Sequence, residues 1–275
     1  MSVPVRVFDG DHLRADLVRR GGRVLCVTFD YRRLDRAGFG AMTPSGRIAA
    51  AGQDQLMIAT RNNDWFVNPD TTALEAVCRS LRHDYAAARA LGFSMGGFGA
   101  FRMAESLSLG HVVAVSPQVS IAPGVVPFET RYRREALGFD ADLGAMAGRH
   151  DPRLQGVILC DSLNLPDLTH ARMLQVLFPA VRLIRLPGGG HPCTRVLRAA
   201  GRSGLIQRLA FGEAWAAGAL QRAHRLARGG QPDYWRALSR ATAARRPDLA
   251  TAARQRAAIL AAAATGGVDG DPDSA

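Results

Sequence analysis

One stretch, Ala87 to Phe101 (AARALGFSMGGFGAF), limits what this chain can fold into more than any other. A short apolar run leads to Gly92-Phe93-Ser94-Met95-Gly96, and helical apolar spacing resumes at Phe98, Phe101 and Met103. That order reads as a strand, a very tight turn with Ser94 at its tip, then a helix. The spacing G-x-S-x-G is that of a nucleophile elbow, in which a strained backbone lifts the serine hydroxyl above a sheet. Glycines flank the serine because side chains there would strike the neighbouring strand and helix. The helix start offers backbone N–H groups to developing negative charge. A glycine-rich strand–helix turn without chemistry would have the same local sequence, so the rest of the chain must decide.

The flanking segments alternate between strand and helix patterns. Val3 to Phe8, Arg23 to Phe29, Gln55 to Thr60, His111 to Ser116, Gln155 to Cys160 and Val181 to Leu186 read as strands. A helix is expected from Asp70 or Thr71 to about His83, with Leu74, Val77, Cys78 and Leu81 on one face, and another from Pro166 to Phe178. Such alternation implies parallel pairing and a three-layer α/β sandwich with a mainly parallel sheet. Sites in such sheets lie beyond the carboxyl ends of the strands. Ser94, Asp161 and His191 each follow an expected strand end.

Composition narrows the classes. The net charge is +11 and every basic side chain apart from histidine is an arginine. The arginines are spread over the whole chain with no basic stripe of interleaved aromatics, which argues against nucleic acid as the partner. No run of about 18 apolar residues indicates a membrane span. Met1 to Arg6 lacks a long apolar leader, and the expected location is cytoplasmic. Cys26, Cys78, Cys160 and Cys193 form neither a zinc spacing nor a secreted disulfide framework. A metal held by Cys160, Asp161, His191 and Cys193 would match no common motif, and no metal or cofactor is expected.

Residues 1–200 resemble the α/β-hydrolase superfamily. The resemblance rests on the elbow Gly92-Phe93-Ser94-Met95-Gly96-Gly97, an acid after a later strand, and Gly190-His191 after the last strand, in the superfamily's order of serine, acid, histidine. It implies Ser94 as nucleophile and His191 as its base, brought over the sheet edge by the glycines before it. For the acid, Asp161 at the strand end is favoured over Asp167 deeper in the loop, with the other capping the following helix. Asn164 lacks the charge to stabilise an imidazolium, and His170 is expected on the helix surface. The resemblance also implies an oxyanion hole built from the Met95 N–H and a backbone N–H of Phe29 or Asp30, although no His-Gly-Gly signature follows that strand. Residues 116–151 lie where the superfamily inserts caps. There Arg131, Arg133 and Arg134 either clamp an anionic group or form a solvated face. Tyr132 and Trp65 are the expected substrate-binding side chains, with core packing an equal alternative for Trp65 and Phe66. The implied activity is a serine hydrolase acting on a small-molecule ester or thioester. An acyltransferase with the same triad, or a silent binding module, remains open.

From Gly201 the character changes: 11 arginines face 6 acids over residues 201–275, and no strand pattern remains. Three helices are expected over 201–265, broken near Gly229-Gly230 and Pro247, with an unstructured tail over 266–275. This extension either packs on the body or docks a protein partner.

Overall fold

The computed structural model describes residues 3–148 and 151–265. Eight strands make one sheet: β1 (Val5–Asp9), β2 (Leu13–Val18), β3 (Val24–Phe29), β4 (Asp54–Thr60), β5 (Ala87–Phe93), β6 (Leu109–Val115), β7 (Gln155–Cys160) and β8 (Val181–Arg185). Their spatial order is β1-β2-β4-β3-β5-β6-β7-β8. All pairs from β4 to β8 are parallel; β1 with β2 and β2 with β4 are antiparallel. The chain therefore has the mainly parallel sheet of an α/β-hydrolase-like fold.

Period-two alternation divides the apolar runs between two faces. Ala90, Val112, Ala114, Ile158 and Cys160 join one core, with Leu74, Phe98, Phe101 and Leu174 packed over them. After the short helix α1 (Gly46–Ala50), those four belong to α2 (Thr71–Leu81), α3 (Met95–Arg102) and α5 (Leu165–Leu177). Leu91, Val113, Val115, Val157 and Leu159 join the other core. They are covered by Leu197, Leu209 and Leu220 from α6 (Arg195–Ala199), α7 (Gly204–Ala210) and α8 (Ala216–Arg228). Strands flanked on both sides by helices read as unbroken apolar runs, as these do. β2 carries the other signature, with Leu13, Ala15 and Leu17 buried and Arg14 and Asp16 partly exposed. The alternation of β2 is present in the sequence, yet β2 is not among the strands expected from it.

One helix cap and the number of C-terminal helices differ from those expected. The Asp70 carboxylate does not cap α2; it accepts from the His12 and Leu13 N–H groups at 2.6 and 3.0 Å and ties the β1–β2 hairpin to the helix. Four helices, not three, follow Gly201 among the described residues, because the chain also breaks between α7 and α8 at Gly212 (φ 115°). The last two, α9 (Pro232–Thr242) and α10 (Pro247–Thr265), form a hairpin closed by the Ser239 hydroxyl on the Ala250 carbonyl at 2.8 Å. The expected tail over 266–275 lies outside the described residues. Among the described residues no helix is long and apolar enough to cross a membrane.

Candidate active site

Ser94 joins β5 to α3 with φ 50° and ψ −116°. A non-glycine residue held there costs about 1–3 kcal/mol and persists only where its surroundings enforce it. Here they do. The Ser94 N–H donates to the Val115 carbonyl at 2.8 Å, and its own carbonyl accepts from Gly97 and Phe98 at 2.8 and 3.1 Å. A Cβ on Gly92 would overlap the Gly96 carbonyl, and one on Gly96 would stand 2.6 Å from the Asp30 carbonyl. The turn is therefore closed by backbone approach on both sides of the serine. Met95, the first residue of α3, has an N–H that no carbonyl of its own helix can reach.

His191 arrives from the other side, on the loop after β8. Gly188 and Gly190 have φ of 75° and 79°, values an L side chain seldom tolerates, and a Cβ on Gly188 would meet Tyr234 of α9. Asp161, at the end of β7, accepts the N–H groups of Gly188 (2.8 Å), Gly190 (2.9 Å) and Leu163 (2.8 Å). The Ser116 hydroxyl accepts from the Cys193 N–H, and His224 of α8 lies 3.1 Å from the Pro187 carbonyl. The helical extension thus touches the loop that carries His191.

These supports bring His191 Nε2 to 2.9 Å from Ser94 Oγ. On the far side of the ring, Nδ1 lies 2.8 and 3.0 Å from the two carboxylate oxygens of Asp167. The carboxylate on His191 is therefore Asp167 and not Asp161, which the sequence favoured. Both oxygens of Asp161 are occupied by loop N–H groups, so it shapes the loop without touching the imidazole. The helix cap expected of one of these two aspartates belongs to Asn164, whose side chain accepts from the Asp167 N–H.

Asp167 is buried and sits in a chain of charges. Burial pushes its pKa up, but the His191 hydrogen bond and the charges of His191 and Arg131 outweigh that and hold it below the ordinary value. Arg131 donates to Asp167 at 2.7 Å and binds Glu129 through a second nitrogen at 2.5 Å. Burial opposes the charge on Glu129 too, yet hydrogen bonds from His170 and Arg131 keep it well below the usual carboxylate range. His170 is not on the surface as expected. It is fully buried, with Nδ1 accepting the Val119 N–H at 3.3 Å and Nε2 facing Glu129 at 3.0 Å. Arg131 is therefore neutralised by Glu129 and Asp167 and is no free anion clamp; Arg133 and Arg134 lie exposed on the short helix α4 (Arg133–Ala136). Nothing near Glu129 in sequence announces this chain, because Glu129 and Arg131 come from one loop and Asp167 and His170 from α5, more than 30 residues on.

A cavity of about 560 Å³ opens above Ser94 and His191, lined also by Tyr31, Arg32 and Tyr132. The Tyr132 hydroxyl lies 3.0 Å from His191 Nε2, so this expected site residue does face the centre. Trp65 does not. It is fully buried behind Tyr132, ring centroids 4.7 Å apart, with its indole N–H on Gln118 Oε1 at 3.0 Å. Phe66 is core as well, stacked edge-on to Phe29. Phe29 lies within the sheet, paired with Ile58, and does not line the cavity. The Asp30 N–H donates to the Ile58 carbonyl at 2.9 Å. Of the two backbone groups expected to join Met95, the Asp30 N–H is thus turned to β4 and not to the serine. Among the described residues no three His, Cys, Asp or Glu side chains are grouped to hold a metal, and burial pushes the Cys160 thiol up to about 12.

No family model matches the chain, and no curated protein matches it by sequence. Solved structures do match it in fold. The capsule O-acetyltransferase of Neisseria meningitidis serogroup A, in a complex with CoA, aligns with a TM-score of 0.50 at 13% identity, over 80% of this chain and 94% of that one. An α/β hydrolase from a Medee basin deep-sea metagenome aligns at 0.48 and 12% identity, over 82% and 97%. A protein from Silicibacter described as a putative thioesterase aligns at 0.48 and 16% identity, over 76% and 80%. At these identities the likeness is one of fold alone.

Proposed function

We propose that the chain is a serine-dependent acyl-transfer enzyme, a hydrolase of esters or thioesters that works through an acyl-enzyme on Ser94. One observation carries this: an unbroken hydrogen-bonded series from Ser94 Oγ through His191 to a buried, ionised Asp167, at the floor of an open cavity. A serine hydroxyl is a weak nucleophile near neutral pH until a base takes its proton. His191 Nε2 takes that proton as Oγ attacks the acyl carbon. Asp167 holds the proton on Nδ1, which leaves Nε2 free to accept, and stabilises the imidazolium that results. The Met95 N–H, at the positive end of α3, donates to the oxygen that gains charge. The tetrahedral intermediate collapses when Nε2 returns its proton to the departing alcohol or thiol. Water, deprotonated by the same nitrogen, then releases the acid. A hydroxyl acceptor in place of water makes the same site an acyltransferase.

The test is turnover of p-nitrophenyl acetate and of a short-chain acyl thioester by the full chain, with and without added alcohol and sugar acceptors. Free acid as the product in all mixtures supports hydrolysis; an acylated acceptor identifies a transferase. Ser94→Ala is expected to lower kcat by about 10⁶, the scale seen when a triad serine is removed. Turnover that survives the substitution overturns the proposal.

A further inference from the structure

We infer that the Tyr132 hydroxyl is a catalytic group that supplies, beside the Met95 N–H, the second hydrogen bond to the oxyanion formed on the acyl carbon. This rests on the Ser94 acyl-enzyme proposed above and adds the residue that completes its charge stabilisation.

In the turn after β3 the backbone donors of Asp30, Tyr31 and Arg33 are occupied. The Asp30 N–H is held by Ile58, and the Tyr31 N–H donates to the Asp30 carboxylate at 2.8 Å. Arg33 and Arg36 fix that carboxylate at 3.2 and 2.9 Å, and the Arg33 N–H donates to Asn63. Of residues 30–33, only Arg32 has an N–H without a protein acceptor among the described residues. Neither Asp30 nor Tyr31 offers a free backbone donor, and the hydroxyl that stands beside Ser94 on His191 Nε2 belongs to Tyr132.

The phenol is held in place. Its ring lies against Trp65, and the guanidinium groups of Arg131 and Arg32 stand 5.2 and 5.6 Å from the ring centre. Trp65 and Phe66 both have positive φ, 55° and 58°, and the Asp64 carboxylate enforces that backbone by accepting from Phe66 N–H, Thr60 and Asn68. Strain held behind a side chain at the reaction centre is where function tolerates it. Burial raises the phenol's pKa, so it remains a donor through the neutral range.

Nε2 of the neutral imidazole has one lone pair, and two hydroxyls converge on it, Ser94 at 2.9 Å and Tyr132 at 3.0 Å. In the resting site they compete. During acylation the Ser94 proton moves to Nε2, the Oγ–C bond forms, and the carbonyl π pair moves onto oxygen. Nε2 is then a donor, so the Tyr132 O–H loses its acceptor there and turns to the new oxyanion. Its proton stays on the phenol throughout. Collapse restores the C=O, breaks the bond to the leaving group and sends the Nε2 proton to it. The tyrosine bond is stronger in the transition state than before it, which is the condition for lowering the barrier.

Tyr132→Phe keeps the ring and removes only the donor. With the full chain, p-nitrophenyl acetate and phenyl acetate are compared in wild type and variant, alongside the rate at which a fluorophosphonate labels Ser94. The expected result is a loss of about 10²–10³ in kcat/KM, the scale of one oxyanion donor. The loss should be alike for both esters and accompanied by slower labelling and a melting temperature close to wild type. A loss below about threefold overturns the inference and moves the role to the Arg32 N–H. A loss confined to phenyl acetate, the poorer leaving group, also overturns it, because the phenol would then serve the departing oxygen. If the Phe variant does not fold, 3-fluorotyrosine at position 132 replaces it: a more acidic donor must change kcat, and an unchanged kcat contradicts the inference. Ser94→Ala in the same assays separates the two claims, since activity and labelling that survive it overturn the acyl-enzyme itself.

Discussion

The elbow and the acid loop reach the same histidine by opposite routes. The determinants of the Ser94 turn lie between Gly92 and Phe98 or at the ends of the strands beside it, as backbone clearance and backbone hydrogen bonds. The acid is settled by long-range competition. Asp161 stands at the strand end, but the N–H groups of the histidine loop, 27 and 29 residues on, occupy its oxygens. Asp167, in the first turn of α5, is left to His191 and is held there by Arg131, 36 residues earlier. Strain is written locally in a sequence, whereas the choice between two nearby carboxylates is made by whatever else must be hydrogen-bonded.

That contrast is broken or sharpened first at the two aspartates. Asp167→Asn is expected to lower kcat by about 10³–10⁴ with the fold intact, because an amide cannot fix the tautomer or offset the imidazolium charge. Asp161→Asn is expected to act chiefly on stability. Its amide nitrogen cannot accept a loop N–H, and a buried donor left unpaired costs about 1–3 kcal/mol. Measuring kcat and melting temperature for both variants decides; the reverse ranking would return the triad acid to Asp161.

A smaller effect is expected from pH. The folded pKa of Asp167 is depressed, so its contribution to stability is complete above the ordinary carboxylate pKa and is lost as pH falls through the depressed value. The gap in melting temperature between wild type and Asp167→Asn should be constant near neutrality and shrink below about pH 4. Arg131→Met removes one of the charges responsible, so the acid limb of its profile should move to higher pH. A limb that stays in place would mean that Arg131 does not set the charge on Asp167.

Much of this is legible in the sequence, and the remainder fails for identifiable reasons. The mainly parallel sheet follows from unbroken apolar runs, and the tight turns at Ser94 and before His191 from glycines where side chains are excluded. His170 reads as a surface residue because helix spacing alone does not reveal a buried Glu129 arriving from a different loop. Trp65 reads as a pocket wall because an aromatic at a strand end fits either role; only the fold shows Tyr132 standing between it and the cavity. Phe29 matches by analogy a donor position, but it stands inside β3 and does not line the cavity. In each case the missing fact is a partner distant in sequence.

The smallest effect expected is at the junction between the extension and the histidine loop. Asp233 of α9 pairs with Arg195 at 2.7 Å, but both side chains are substantially exposed. Asp233→Ala should change stability by under about 1 kcal/mol and leave ester turnover near wild type. A large loss of activity would mean that α9 positions His191 through this pair rather than through the packing of Tyr234 on Gly188.

The most direct test of the central claim is covalent. The full chain is incubated with a fluorophosphonate near neutral pH, and the adduct is located by mass spectrometry of its peptides. A single adduct on Ser94, absent from Ser94→Ala and strongly slowed in Asp167→Asn, is the result expected of an activated nucleophile in this triad. No adduct on folded wild-type protein, or an adduct unaffected by either substitution, would contradict it.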